Sequence, residues 1–276
     1  MNIVLAALAS TLAAIAAAGT AVTITGRRQP SRPIHRQERV IFAALRHNDP
    51  SIPVQVEDVL WTSTTLFTLV GEGEAYWTHF AILPQGSPAV SRLTAQPGVT
   101  DLFVAEIELT NVPSAALGML RLRHRLGLTR RPKGPLPTTL DHVEGRRDVL
   151  PTLEAIGHAQ ALPRSMQVTM VNFLEYPAIT KGDAADGRAA YLRYGRQAMR
   201  AVHGVGGQFL FAGQITSVLA APESPAWQEP WDDLAAMIYP DPTAIFAMEQ
   251  FPFYRRALGD RDEGLKRTRV IVTRAY

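Results

Sequence analysis

The chain has 276 residues, 46% of them hydrophobic, and 28 basic against 25 acidic side chains give a formal net charge of +3. That length accommodates two small domains, and the balance excludes both a disordered chain and a polycation dedicated to nucleic acid. No cysteine is present, which removes disulfides, thiolate catalysis and cysteine-ligated metals together.

Residues 2–26 carry no charged side chain and reach the ~20 residues needed to span a bilayer. The expectation is one transmembrane anchor rather than a cleaved signal peptide, because no basic residue precedes the apolar run. Arg27, Arg28, Arg32, Arg36 and Arg39 all follow it. By the positive-inside rule they place the protein at the cell membrane as a single-pass chain with a cytoplasmic body. Residues 27–54 then read as a basic juxtamembrane linker.

Residues 55–127 form an α+β region. Apolar runs predict strands over 60–70, 75–83 and 101–110, the last with Phe103, Ala105 and Ile107 on one face. A helix over 114–126 follows, and it becomes basic through Arg121, Arg123 and Arg125. The region suits a diverged half of the type that comes next, able to cover that domain's free sheet face. Residues 128–146, with Pro132, Gly134, Pro135 and Pro137, are an interdomain linker. The basic run from Arg121 to Lys133 lacks the interleaved aromatics that single-strand binding uses, so no nucleic-acid partner is expected.

In residues 147–276, the β-branched run over 167–174 predicts a strand buried on both faces, interrupted by one amide, Asn172. A helix over 186–203 puts Tyr191, Tyr194, Ala198 and Val202 on one stripe. Strands over 208–219 and 231–239, a helix opened by Asp241 and Pro242, and a strand over 266–273 complete the order β-α-β-β-α-β. That is the ferredoxin-like order, so the fold class expected is α+β, with one sheet and both helices on one face. The other sheet face needs cover, from a homodimer partner or from the middle region as an intrachain pseudo-dimer.

The series Val149, Leu150, Pro151, Thr152 and Glu154, then Val171-Asn172-Phe173-Leu174, Asp186-Gly187-Arg188, Tyr191 and Tyr194, Gly206-Gly207, Tyr239-Pro240 and Tyr254-Arg255 resembles the domain-of-unknown-function family 1330. That family belongs to the dimeric α/β barrel superfamily. The resemblance implies a ferredoxin-like subunit whose sheet closes a barrel with a second one. The superfamily includes cofactor-free monooxygenases, isomerases, haem enzymes and members without known activity, so it selects no reaction.

No dinucleotide, phosphate-loop, nucleophile-elbow or zinc-protease signature is present, and the seven histidines are scattered singly, so no cofactor and no metal are expected. An amide among apolar neighbours must find a partner, which makes Asn172 a ligand-orienting candidate together with Tyr191 and Tyr194. His203, Tyr239 and Met248 complete the candidate set, the last two as apolar pocket wall. The leading reading is a membrane-anchored module binding a small apolar or aromatic ligand in a cavity against the sheet. The alternatives are a cofactor-independent monooxygenase or isomerase in the same cavity, and a structural or interaction module with no ligand.

Overall fold

Val40, Phe42 and Ala44 turn one way from the first strand and Ile41, Ala43 and Leu45 the other, and all six are buried. A strand covered on both faces lies inside a layered structure. In the computed structural model, which describes residues 34, 37–54, 58–71, 75–127, 149–177 and 187–276, that strand is β1 (Arg39–His47). It belongs to a closed antiparallel barrel of eight strands. The others are β2 (Trp61–Val70), β3 (His79–Pro84), β4 (Val99–Leu109), β5 (Val168–Glu175), β6 (Gln208–Ala220), β7 (Asp233–Tyr239) and β8 (Arg267–Ala275).

Around the barrel the order is β1-β3-β2-β8-β5-β7-β6-β4. The order 4-1-3-2 of the first four strands therefore recurs as 8-5-7-6 in the last four, and the two sets join at two seams, β2–β8 and β4–β6. Each seam carries two register shifts, whereas β1–β3, β2–β3, β5–β7 and β5–β8 carry none. At the β4–β6 seam Gly213 pairs with Leu109, and a Cβ there would run into the Glu108 carbonyl. The glycine buys close approach and β6 continues past it without a break.

One apolar cluster draws side chains from all eight strands, so it fills the barrel. Its centre is phenylalanine: Phe42 lies 5.7 Å from Phe173 and 5.8 Å from Phe80, ring centre to ring centre, and Phe103 is 6.2 Å from Phe173. Eight strands enclose a space that side chains just fill. Outside, a helical layer covers β5, β7 and β8. It comprises α3 (Leu153–Ala161), α4 (Gly187–Gly204) and α7 (Pro252–Gly264). The Thr152 hydroxyl caps α3 by accepting the Ala155 N–H at 3.1 Å. The other helices are α1 (Ala89–Thr94), α2 (Ser114–Arg125), α5 (Pro225–Gln228) and α6 (Ala244–Ala247).

Two expectations are corrected here. The ferredoxin-like α+β class is replaced by one closed antiparallel barrel. The strand and helix periodicities lie close to the elements formed, but periodicity describes a strand's two faces and not its hydrogen-bonding edges. The edges of β2, β4, β6 and β8 find each other across the chain, and no open sheet is left. β1 itself forms inside the segment read as a basic linker, because Arg39, Arg46 and His47 bracket a six-residue apolar run. The second correction concerns the membrane-spanning helix and the single-pass location inferred from it. Among the described residues no helix is long and apolar enough to cross a membrane, and the expected anchor over residues 2–26 lies outside the described residues.

Candidate functional site

The side chains singled out in the sequence lie on the outer face of the barrel, beneath the helices. Asn172 follows Met170 on the outward side of β5, and its amide donates to the Met170 and Ala235 carbonyls at 3.1 and 3.2 Å. It ties β5 to β7 with its donors already used. Tyr191, Tyr194 and Tyr254 form a run of rings 5.4 and 5.8 Å apart, with the Tyr194 and Tyr254 hydroxyls 3.0 Å from each other. The Tyr239 hydroxyl donates to the Met248 sulfur at 3.6 Å. Burial pushes the phenols of Tyr191, Tyr239 and Tyr254 well above the ordinary tyrosine range, so they stay protonated. His203 is 2% exposed and its Nδ1 lies 2.9 Å from the Met199 carbonyl, one turn back in α4. Tyr191, Tyr194, Tyr239 and Met248 are thus brought into one packed layer, whereas His203 and Asn172 make backbone contacts of their own.

The chemistry that sequence reasoning missed is at the barrel mouth, the end where β1, β2, β5 and β6 finish and β3, β4, β7 and β8 begin. A pocket of about 170 Å³ opens there, lined by Thr68, Tyr76, Ser224, Ala226, Trp227, Arg269 and Ile271. Thr68 and Ile271 pair across the β2–β8 seam, and Arg269 stands on the same side of β8 as Ile271. Tyr76 comes from the β2–β3 connection, while Ser224, Ala226 and Trp227 come from a strap, residues 221–230, that joins β6 to β7 and contains α5.

The rings at this end form a continuous cluster. Tyr76 and Trp227 are nearly parallel at 6.4 Å, and Trp227 stands 5.5 Å from Trp77, 5.0 Å from Phe173 and 5.8 Å from Trp231. Two guanidinium groups cap it, Arg46 at 4.4 Å over Tyr76 and Arg267 at 4.2 Å over Trp231, in the geometry of cation–π attraction.

Two buried carboxylates organise the rim. Asp101 on β4 accepts the Tyr76 hydroxyl at 2.5 Å and the backbone N–H groups of Leu102, Glu223 and Ser224 at 2.7, 2.9 and 3.3 Å. Burial alone would raise its pKa, but these four bonds outweigh burial and hold the carboxyl below its ordinary value. Glu175 accepts from Lys266 at 2.6 Å and from Arg267. There too burial is outweighed, by the two cations, and the pKa is lowered. Arg267 reaches on to Glu229 at the far end of the strap.

A signal for this site did exist in the sequence. Tryptophan is costly to leave in water, yet Trp227 sits in a polar stretch bounded by Pro222, Pro225 and Pro230, while Tyr76-Trp77, at the start of the run expected as a strand over 75–83, precedes the strand that forms. A tryptophan in a polar loop points to a loop that packs on something, but not to which end of which sheet. As for metals, no cluster of three or more ligand-type side chains occurs among the described residues. His47 has both ring nitrogens on carbonyls, Asp49 at 2.7 Å and Pro97 at 3.0 Å.

No family model matches the chain, and no curated protein does. Among solved structures, the chain is similar to a protein of unknown function from Rhodopseudomonas palustris, at 28% identity over 45% of this chain and 93% of that one, with a TM-score of 0.39. The same protein in methylated form gives 28% identity over 45% of this chain and 91% of that one, with a TM-score of 0.38.

Proposed function

We propose that the chain is a binding protein for a small planar ring carrying a carboxylate or similar anionic group, held at the barrel mouth. The observation that carries this reading is the makeup of the mouth pocket: two nearly parallel aromatic rings, Tyr76 and Trp227, with the Arg269 side chain and the Thr68 and Ser224 hydroxyls around them. Aromatic faces favour a flat ring, and a guanidinium favours a planar anion. The size agrees. An apolar cavity of about 150 Å³ holds a benzene ring, and this pocket measures about 170 Å³. The phenylalanine-filled centre leaves the ligand at the rim, since rings occupy the space behind it.

Binding fits these groups better than catalysis. Among the described residues that line the pocket there is no carboxylate, imidazole or thiol, and the Tyr76 proton is committed to Asp101. Burial, followed by that carboxylate, raises the Tyr76 pKa further, which disfavours it as a proton donor or acceptor near neutral pH.

The test is a titration with benzoate, followed by tryptophan fluorescence and calorimetry. Saturable binding with a dissociation constant between tens of micromolar and millimolar is expected for so small a ligand. Arg269→Met should weaken it about 10- to 100-fold, the effect of losing a charge-assisted hydrogen bond. Absence of saturable binding, or an Arg269→Met variant that binds as the parent does, overturns the proposal.

A further inference from the structure

Trp227 is held to the barrel mouth by rings that belong to the barrel and by very little from its own segment. None of the four residues of α5 is fully buried. The strap is fastened at its ends. At its start Asp101 accepts the Glu223 and Ser224 N–H groups, and Pro222 is buried. At its close Glu229 pairs with Arg267. The Gln228 amide, which donates to the Pro222 and Glu223 carbonyls at 3.2 and 3.0 Å, keeps the strap folded on itself rather than on the barrel.

What lies beneath is preformed. Trp77 and Phe173 are 0% exposed and Trp231 is 6% exposed, and each ring centre is within 5.8 Å of that of Trp227. Removing the Trp227 side chain would leave a slot the size of an indole with three aromatic walls. Two donors are already buried in those walls, because the indole N–H groups of Trp77 and Trp231 have no hydrogen-bond partner among the described residues. An unmet buried donor destabilises the closed arrangement, and a ligand acceptor would relieve it.

We propose that residues 221–230 are a gate, latched by Asp101 and plugged by Trp227. The complete site beneath is an indole-sized slot that takes a planar anion of one or two fused rings, with its acceptor oxygens toward the Trp77 and Trp231 N–H groups. This deepens the reading of the mouth as a ligand site and rests on it. The pocket in front of Trp227 is the entry, and the slot behind it is the destination. Asp101 is a positioning residue in this scheme, since it holds both the strap and Tyr76 without lining the pocket.

The gate is read first without ligand. In Asp101→Asn, hydrogen exchange at the Glu223 and Ser224 amides should rise about tenfold or more. Acrylamide quenching of tryptophan fluorescence should rise with it, and it reports on Trp227 because Trp61, Trp77 and Trp231 are at most 6% exposed. Tyr76→Phe removes one bond from the same carboxylate and should give a smaller increase, which decides the matter if Asp101→Asn does not fold. Wild-type exchange and quenching in a variant whose circular dichroism and cooperative melting are intact overturn the gate. The slot is read in Trp227→Gly with indole-3-carboxylate, expected to bind at least about tenfold more tightly than to the parent. Equal or weaker binding overturns the slot. If benzoate fails to bind the parent while the exchange arm responds, the failure lies in the ligand assignment and not in the gate.

Discussion

Acidification should destabilise this protein through one imidazole. His79, at the start of β3, is 0% exposed on the outer side of the barrel. Its Nδ1 lies 2.9 Å from the Thr78 hydroxyl, which also accepts the His47 N–H at 2.8 Å and donates to the Leu45 carbonyl at 3.0 Å. With its one proton spent on Leu45, that hydroxyl can only accept from His79, so the neutral tautomer protonated on Nδ1 fits and a second proton would have to enter on buried Nε2. Burial, then the nearby His47 charge, push the His79 pKa down from 6.5 to about 4 against the opposing Ile52 carbonyl. The unfolded chain therefore binds the proton first. Stability is full above pH ~6.5, falls by ~1.36 kcal/mol per unit as pH drops, and levels off below pH ~4, a total of ~3 kcal/mol. The assay is urea unfolding at half-unit steps from pH 7.5 to pH 4 (~4 being the folded pKa), on the parent and on His79→Asn. Subtracting the variant's profile removes every other titrating group, and a difference that stays flat within ~0.5 kcal/mol across this window refutes the argument.

Further outcomes are open to the same assays. Phe173→Ala, at the ring cluster where Phe42, Phe80, Phe103, Trp227 and Trp231 meet, should cost ~3–5 kcal/mol in urea unfolding. Arg267→Met leaves Glu175 with Lys266 alone and should cost ~1–3 kcal/mol at neutral pH. Because the Glu175 pKa is depressed in the fold, that loss should be present above the ordinary glutamate value and fade as pH falls through the folded one. Tyr194→Phe breaks the hydroxyl contact to Tyr254 and should lower stability by ~1 kcal/mol while leaving benzoate titrations at the mouth unchanged; a shift in ligand affinity would move the site to the outer tyrosine layer.

What the sequence disclosed, and what it withheld, follows from the range of the signals. Local periodicity is enough to place the strand at Val168–Glu175 and the helix at Gly187–Gly204 within a residue of where they form. It also groups Tyr191 and Tyr194 correctly on one stripe, since 3.6-residue spacing alone sets that. The same signal is blind to pairing. Ser63 meeting Ala275, or Leu109 meeting Gly213, joins residues more than a hundred positions apart, and nothing in either neighbourhood specifies the other. Asn172 stood out because it broke an apolar pattern, and the structure accounts for it with two backbone carbonyls. Asp101 did not stand out, because an acid at a strand start is ordinary; its four bonds are assembled from three separate segments.

That difference explains why the mouth, rather than the tyrosine layer, carries the function proposed. Asn172 bonds to carbonyls of its own strand and of β7, the strand it already pairs with, so it reinforces a pairing that the sheet itself fixes. Asp101 joins β4, the β2–β3 connection and the strap, so its energy depends on how those three lie relative to one another. Only a group of the second kind can couple occupancy of a pocket to movement of its cover, because a ligand that shifts the strap changes the geometry of every bond the carboxylate accepts. A barrel filled with phenylalanine adds the complementary condition. Its walls are too well packed to yield, so any motion a ligand induces is confined to the connections at the rim.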